Sequence, residues 1–430
     1  MMLKLYAKTD SSFRYLGANA VSIRALALVF LFHLCCVSPS IAESDNLDPE
    51  ETINQTYLRA AGLYAHKLTD TELIAELDKM VAGLFFVDRF APQLLQRHWK
   101  KLGPSEQTRF KRALLKAIRR NLKSEFDRLG PNGFPPLQLK EKQIKERFAK
   151  LDYTIDGGQS KKPHQFSISL LKNSEGSWKI TNIKSRKQSL LQHFYKISDK
   201  LMGDYSFSYL VAELSGEGYV VLEDFETSSL DKLPKGWTWK GKDNKKHKPY
   251  RVKSENGNKY LEATDTGESV IIGKNVKWNL KKYPFVSFRW RGKQLPVGGD
   301  ERYGRSVDSA AGIYFVYKKK LGLIPESVKY VWSTTLPIGA AMRRSGTGRP
   351  WMVVAESGDK RLGEWHTYIF NLYEAYQKTF GGNPPDKPIA IGILSDANST
   401  HSKAYADYDD LRALSKANAD SGVNEILKAE

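Results

Sequence analysis

The sequence predicts two domains, an α+β domain with helices packed on an antiparallel sheet and then an all-β sandwich of jelly-roll type. Three features carry this. Helical periodicity dominates as far as Gly130 and then gives way to four extended, alternating runs. From Tyr219 onward short β-rich runs recur between Gly, Pro and Asn residues, the texture of a sandwich. Between the two, Gln165 to Met202 reads as a β-hairpin feeding a helix. Phe166, Ile168 and Leu170 alternate with polar residues, Asn173 to Ser177 supplies the turn, and Trp178 to Ile183 resumes in extended form. Leu190, Leu191, Phe194, Ile197 and Leu201 then fall at helical spacing, with Ser189 as N-cap and Gly203 as stop. A chain of 430 residues also exceeds one ordinary core.

Taken in order, residues 1–42 read as a signal peptide. Arg14 and Arg24 precede an apolar run from Ala25 to Val37, too short to span a bilayer, and Ser40-Ile41-Ala42 offers small residues for cleavage. Both cysteines, Cys35 and Cys36, lie in this leader, so the mature chain has no thiol for disulfides, thiolate catalysis or cysteine metal sites. The mature chain keeps 63 basic against 47 acidic side chains, a net charge of +16. That balance favours an anionic partner. For a secreted chain the candidates are phospholipid, lipopolysaccharide or cell-wall polymer, and not nucleic acid.

Glu43 to Thr56 is polar and acidic and reads as a loose leading segment, and Tyr57 to His66 reads as a helix. Thr71 to Phe86 follows as a helix capped by Thr69 or Asp70, with Leu73, Ile74, Leu77, Met80, Val81 and Leu84 on one stripe. Pro92 to Leu102 suits another helix. The longest begins at Pro104: Phe110, Leu114, Ile118, Leu122 and Phe126 recur every four residues, while Lys111, Arg112, Lys116, Arg119, Arg120 and Lys123 crowd the other positions. That basic face suits either lipid phosphates or plain solvation. Gly130 to Pro136 stops the helix, and strands follow at 138–144, 147–155, 165–172 and 178–183.

Several strings here carry a resemblance: Val87 to Phe110 with His98-Trp99 and Pro104-Ser105-Glu106-Gln107-Thr108-Arg109-Phe110, then Gly176-Ser177-Trp178-Lys179-Ile180 and Ser189-Leu190. With the element order, they make Thr71 to Leu214 similar to the periplasmic phospholipid-carrier component of the Mla pathway, the toluene-tolerance auxiliary family. The resemblance implies helices on a curved antiparallel sheet around an elongated apolar cavity for acyl chains. It places Leu84, Phe85, Phe90, Phe110, Leu114, Ile118, Phe166, Ile168, Leu170, Trp178, Ile180, Leu191 and Phe194 around the lipid. It implies no cofactor, phospholipid as partner, a membrane-bound lipid-transport complex, and a part in outer-membrane lipid asymmetry. Without it, the same residues read as ordinary core.

Tyr205 to Leu214 closes this domain, 43–216, and Ser215-Gly216-Glu217-Gly218 is the boundary. The sandwich spans 219–414, with one helix from Leu372 to Phe380 capped by Asn371, and a loose tail covers 415–430. Phe288-Arg289-Trp290, Gly298-Gly299-Asp300-Glu301, Tyr330-Val331-Trp332-Ser333, Gly363-Glu364-Trp365, Phe380-Gly381 and Ile391 to Asp396 make Leu222 to Ala413 similar to a secreted bacterial domain family of unknown function.

No hydrolase elbow, zinc-protease motif or phosphate-binding loop occurs, so no catalytic or metal residue is assigned. An enzymatic alternative, a carbohydrate-acting hydrolase, would draw on Asp300, Glu301, Asp308, Asp396 or His366. Asp396 to Asp410 suits calcium, sugar or plain turn chemistry. Trp237, Trp239, Trp332 and Trp351 are either sugar-stacking platforms or core, and an envelope glycan is a possible partner. A structural envelope adaptor is the third alternative.

Overall fold

The computed structural model describes residues 47–65, 68–129, 137–155, 163–185, 188–240, 247–322 and 324–421. The leader, the Gly130–Pro136 stop and residues 422–430 lie outside them. The chain divides into two compact units, Met1–Lys200 and Leu201–Glu430.

The first unit opens with α1 (Pro49–Ala65). The acidic segment read as loose is therefore helical from Pro49. Pro49 tolerates the first helical position because no intrahelical donor is needed there, and Asp48 Oδ1 accepts the Glu50 N–H at 2.7 Å. α2 (Asp70–Leu84) starts at Thr69 with a reciprocal capping box to Glu72 and buries Leu77, Met80, Val81 and Leu84. The helix expected over Pro92 to Leu102 forms earlier, as α3 (Val87–Leu95), and Pro92 sits inside it. Gln96, at φ 43°, breaks the α-helix there, and Gln96–Lys101 continues as a 3-10 turn.

α4 (Pro104–Leu129) packs on α2 and α3. Phe110, Leu114, Ile118 and Leu122 are all buried. Its basic positions face acids of its neighbours: Lys111 pairs with Asp88 at 2.5 Å, Arg119 with Asp78 at 3.2 Å and Lys123 with Asp70 at 3.2 Å. Those three cations join helices together, which answers the choice between a lipid-facing and a solvated face at their positions.

The sheet runs β1 (Leu137–Lys145), β2 (Phe148–Ile155), β3 (His164–Lys172), β4 (Trp178–Ser185) and β5 (Gln188–Ser189), antiparallel and in sequence order. On β3, Phe166, Ile168 and Leu170 are buried while Ser167 and Ser169 are half-buried on the other face. A bulge at Ser169/Leu170 sets Ile168 against Ile183 and Leu170 against Ile180, so both isoleucines turn inward although three residues apart. α5 (Leu190–Asp204) follows, its Gln192 N–H donating to Ser189 Oγ at 3.0 Å, and it passes Gly203 by one residue.

The second unit begins inside the segment that the composition had joined to the first domain. α6 (Phe207–Ser215), capped by Ser206, packs on β6 (Tyr219–Glu223), and its Tyr209 and Ala212 belong to the sandwich core. Ser215 to Gly218 is the turn between them, with Gly216 in the left-handed region at φ 71°.

One sheet runs β14 (Ala341–Met342), β15 (Trp351–Ser357), β13 (Ile324–Ser333), β12 (Ala311–Lys320), β17 (Ala390–Ile393), β10 (Ile271–Asn275) and β7 (Trp237–Lys240). All its pairings are antiparallel except β13 with β15. The other runs β16 (His366–Asn371), β11 (Phe285–Gln294), β18 (Ala404–Leu414), β9 (Asn258–Asp265) and β8 (Tyr250–Glu255), with β6 also on β18.

Their facing sides share one core, in which Phe288 and Trp290 meet Phe315, Tyr330 and Trp332. α7 (Leu372–Phe380) has the bounds that its sequence implies, Asn371 Oδ1 accepting the Glu374 N–H at 3.1 Å. The tail read as loose continues as helix over 416–421, where Ala419 is buried and Asn418 donates to the Glu217 carbonyl at 3.0 Å.

Candidate functional site

The thirteen residues assigned to lipid lie on α2 to α5, β3, β4 and the Phe85 connection in the first unit. All are buried except Leu191, which is half-buried. The edge of β4 is where helices and sheet join: Phe85 bridges Ile180, the Phe86 N–H donates to the Ile180 carbonyl at 2.9 Å, and α2 and α3 pack on the strand. Across the sheet Phe166 stacks on Tyr153, ring centroids 5.7 Å apart, and Ile168 lies between Leu151 and Ile183. On α5, His193 stands edge-on to Phe194 with its Nε2 unpartnered, and burial followed by the nearby Lys196 holds its pKa down, so the ring is neutral. The Tyr153 hydroxyl and Ser198 Oγ are likewise buried without a partner among the described residues. An apolar set of this kind can bury hydrocarbon, about 0.8 kcal/mol per methylene, and offers no nucleophile or acid for covalent chemistry.

The second unit holds a cavity of about 360 Å³ over the outer face of the seven-stranded sheet. Lys329, Tyr314 and Met352 line its floor, and Arg344, Arg349, Asp396, Asn398 and Ser399 come from the loops around it. Of the five groups named for a hydrolase, only Asp396 reaches this cavity. Glu301 is fully buried, accepting from Ser309 Oγ at 2.8 Å and Ser333 Oγ at 2.6 Å. Asp308 clasps the Ser399 and Thr400 N–H groups at 3.2 and 2.6 Å. Asp300 pairs with Arg302 at 2.7 Å, and His366 is bound through both ring nitrogens to Arg361. Nor do the later aspartates form a calcium loop. They lie along β18, where Asp407 meets Arg291 and Lys293 and Asp409 meets Arg289, so cationic side chains already compensate them. Trp237 and Trp332 are core, and Trp239 and Trp351 pack half-buried against it.

Residues 60–215 match the MlaC protein family. The resemblance read from the N-terminal half therefore stands, and residues 235–412 match a second family, described as a protein of unknown function (DUF3047). No curated protein matches the chain. Among solved structures, a phospholipid-binding protein from Ralstonia solanacearum in complex with a phospholipid is similar at 14% identity and TM-score 0.33, covering 40% of this chain and 96% of that one. A carbohydrate-binding module described for mannan recognition is similar at 14% identity and TM-score 0.21, over 46% and 98%. Both TM-scores lie below 0.5.

The MlaC match covers α2 to α6 and all five strands of the first sheet, and so includes every assigned lipid residue. What the sequence left unmarked lies in the DUF3047 region: Lys329, Arg344 and Arg349. One signal was there to find, a lysine in the middle of the apolar strand Val328-Lys329-Tyr330-Val331-Trp332.

Proposed function

We propose that the protein binds and carries phospholipid in the periplasm, as part of envelope lipid trafficking, with the β-sandwich as an appended binding module. The match of residues 60–215 to MlaC proteins carries this reading, and it falls on a unit whose inward sheet face is apolar from Phe166 to Leu170. Acyl chains take the space bounded by the thirteen residues, and a membrane-bound lipid-transport complex supplies or receives the lipid. The +16 charge of the mature chain suits anionic lipid surfaces. No helix among the described residues is long and apolar enough to cross a membrane. Such a carrier begins near Glu43, and limited proteolysis separates it from the sandwich ahead of α6, whose Tyr209 and Ala212 belong to the sandwich core.

Packing provides the test. Ile168 is fully buried at the centre of β3. Against solid protein, Ile168→Trp overpacks and costs about 1 to 3 kcal/mol. Against space that an acyl chain fills, the indole replaces the chain. The lipid-free variant then keeps its denaturation midpoint while its loading from liposomes falls. A lowered midpoint with normal loading of the folded fraction would refute the assignment.

A further inference from the structure

The cavity on the sandwich gathers three cations, Lys329, Arg344 and Arg349, around one carboxylate, Asp396. Lys329 is 2% exposed, and among the described residues no carboxylate or hydrogen-bond acceptor lies within bonding distance of its Nζ, which sits 5.3 Å from the Tyr314 ring centroid. Its neighbours Val328 and Tyr330 point into the core, so alternation sends Lys329 to the opposite face, in one row with Tyr314 and Met352. Gly312 makes room for it, since a Cβ there would stand 3.2 Å from Lys329 Nζ and 3.0 Å from the Leu394 carbonyl oxygen. Asp396 is 6% exposed, its Oδ1 has no hydrogen-bond partner among the described residues, and the charges of Lys329 and Arg344 act on it without a direct ion pair. Burial of the site, then the neighbouring Arg349, lowers the pKa of Arg344, and neither arginine forms an ion pair among the described residues. Of the four, Lys329 and Asp396 are buried, Arg344 is half-buried and Arg349 is exposed, and a buried ammonium without a hydrogen-bonded partner costs several kcal/mol, so a fold seldom retains one to no purpose.

We propose that this cavity binds an acidic sugar unit, a hydroxylated ring carrying a carboxylate or phosphate. Lys329, Arg344 and Arg349 take the acid group, and Asp396, Asn398 and Ser399 take ring hydroxyls. Three cations against one carboxylate set the sign of the ligand. Its size follows from the volume of about 360 Å³, roomy for an inorganic anion and within the range of small-molecule sites. The three polar residues of the loop that begins at Asp396, namely Asp396, Asn398 and Ser399, match hydroxyls better than hydrocarbon. This ligand is independent of the lipid reading, because all its contacts lie in the second unit.

Calorimetric titration of the full-length protein with glucuronate, glucose 6-phosphate, glucose and inorganic phosphate tests it. At least one of the two charged sugars binds, and glucose and phosphate bind weaker by about tenfold or more, the worth of one charge-assisted contact. Lys329→Met and Arg344→Gln each lose a similar factor. Arg344 lies on a loop outside the core, so its variant keeps the test open should Lys329→Met fail to fold. Failure of both charged sugars to bind would overturn the proposal. So would phosphate alone binding as tightly as they do, glucose matching them, or a folded Arg344→Gln variant binding like the parent.

Discussion

Phe288→Ala should remove about 3 to 5 kcal/mol from the unfolding free energy of the sandwich, the usual cost of deleting a buried phenyl ring. Phe288 is fully buried on β11 and is the ring on which both sheets converge. Its centroid lies 4.9 Å from Trp290 and 5.9 Å from Phe370 in its own sheet, and 6.1 and 6.4 Å from Tyr330 and Phe315 in the facing one. Rings held from two sheets cannot all move in to fill the gap, so most of the void persists and the cost stays near the upper end. Denaturant unfolding followed through the second unit's tryptophans measures this. A loss under about 1 kcal/mol would mean that the two sheets close over the gap.

The second large effect depends on pH. Asp265, at the end of β9, is fully buried with Oδ1 unpartnered, and burial, then the adjacent Glu268, pushes its pKa up to about 8. Burial opposes ionisation of Glu268 too, but hydrogen bonds from Thr266 outweigh it and hold that carboxyl below its usual value. Asp265 therefore carries the proton of the pair. An unfolded aspartate releases its proton near pH 4, so from there to about pH 8 the native state holds the extra proton. Stability falls with rising pH across that window, by about 1.4 kcal/mol per unit. Asp265→Asn keeps a donor toward Glu268 and abolishes the titration. Its stability advantage over the parent should grow by up to roughly 4 kcal/mol between pH 5 and pH 8. Urea midpoints at both pH values decide, and a difference that does not change with pH would contradict the assignment.

Much of the fold was legible because local chemistry and tertiary packing agree. Asn371 and the glycines after Phe380 bound α7, Ser189 caps α5, and the alternation on β3 is the alternation of its burial. Elements were misread where the deciding partner is not local. The acids before Tyr57 look like a loose segment until the rest of the unit buries Ile53, Tyr57 and Ala60 along one face of α1. Asp407 and Asp409 look like cation ligands until β11 brings Arg291 and Arg289 alongside. For the candidate sites the limit is different. An apolar strand face reads the same whether protein or lipid covers it, and the cations of the sandwich cavity come from a strand and a loop that only the sheet order brings together.

Solvent extraction and mass spectrometry of the protein purified from its periplasmic form test the lipid assignment most directly. Phospholipid is expected in near-stoichiometric amount, depleted in Ile168→Trp while the cavity variants Lys329→Met and Arg344→Gln retain it. A protein that emerges free of lipid, and that also fails to take up phospholipid from liposomes, would contradict it.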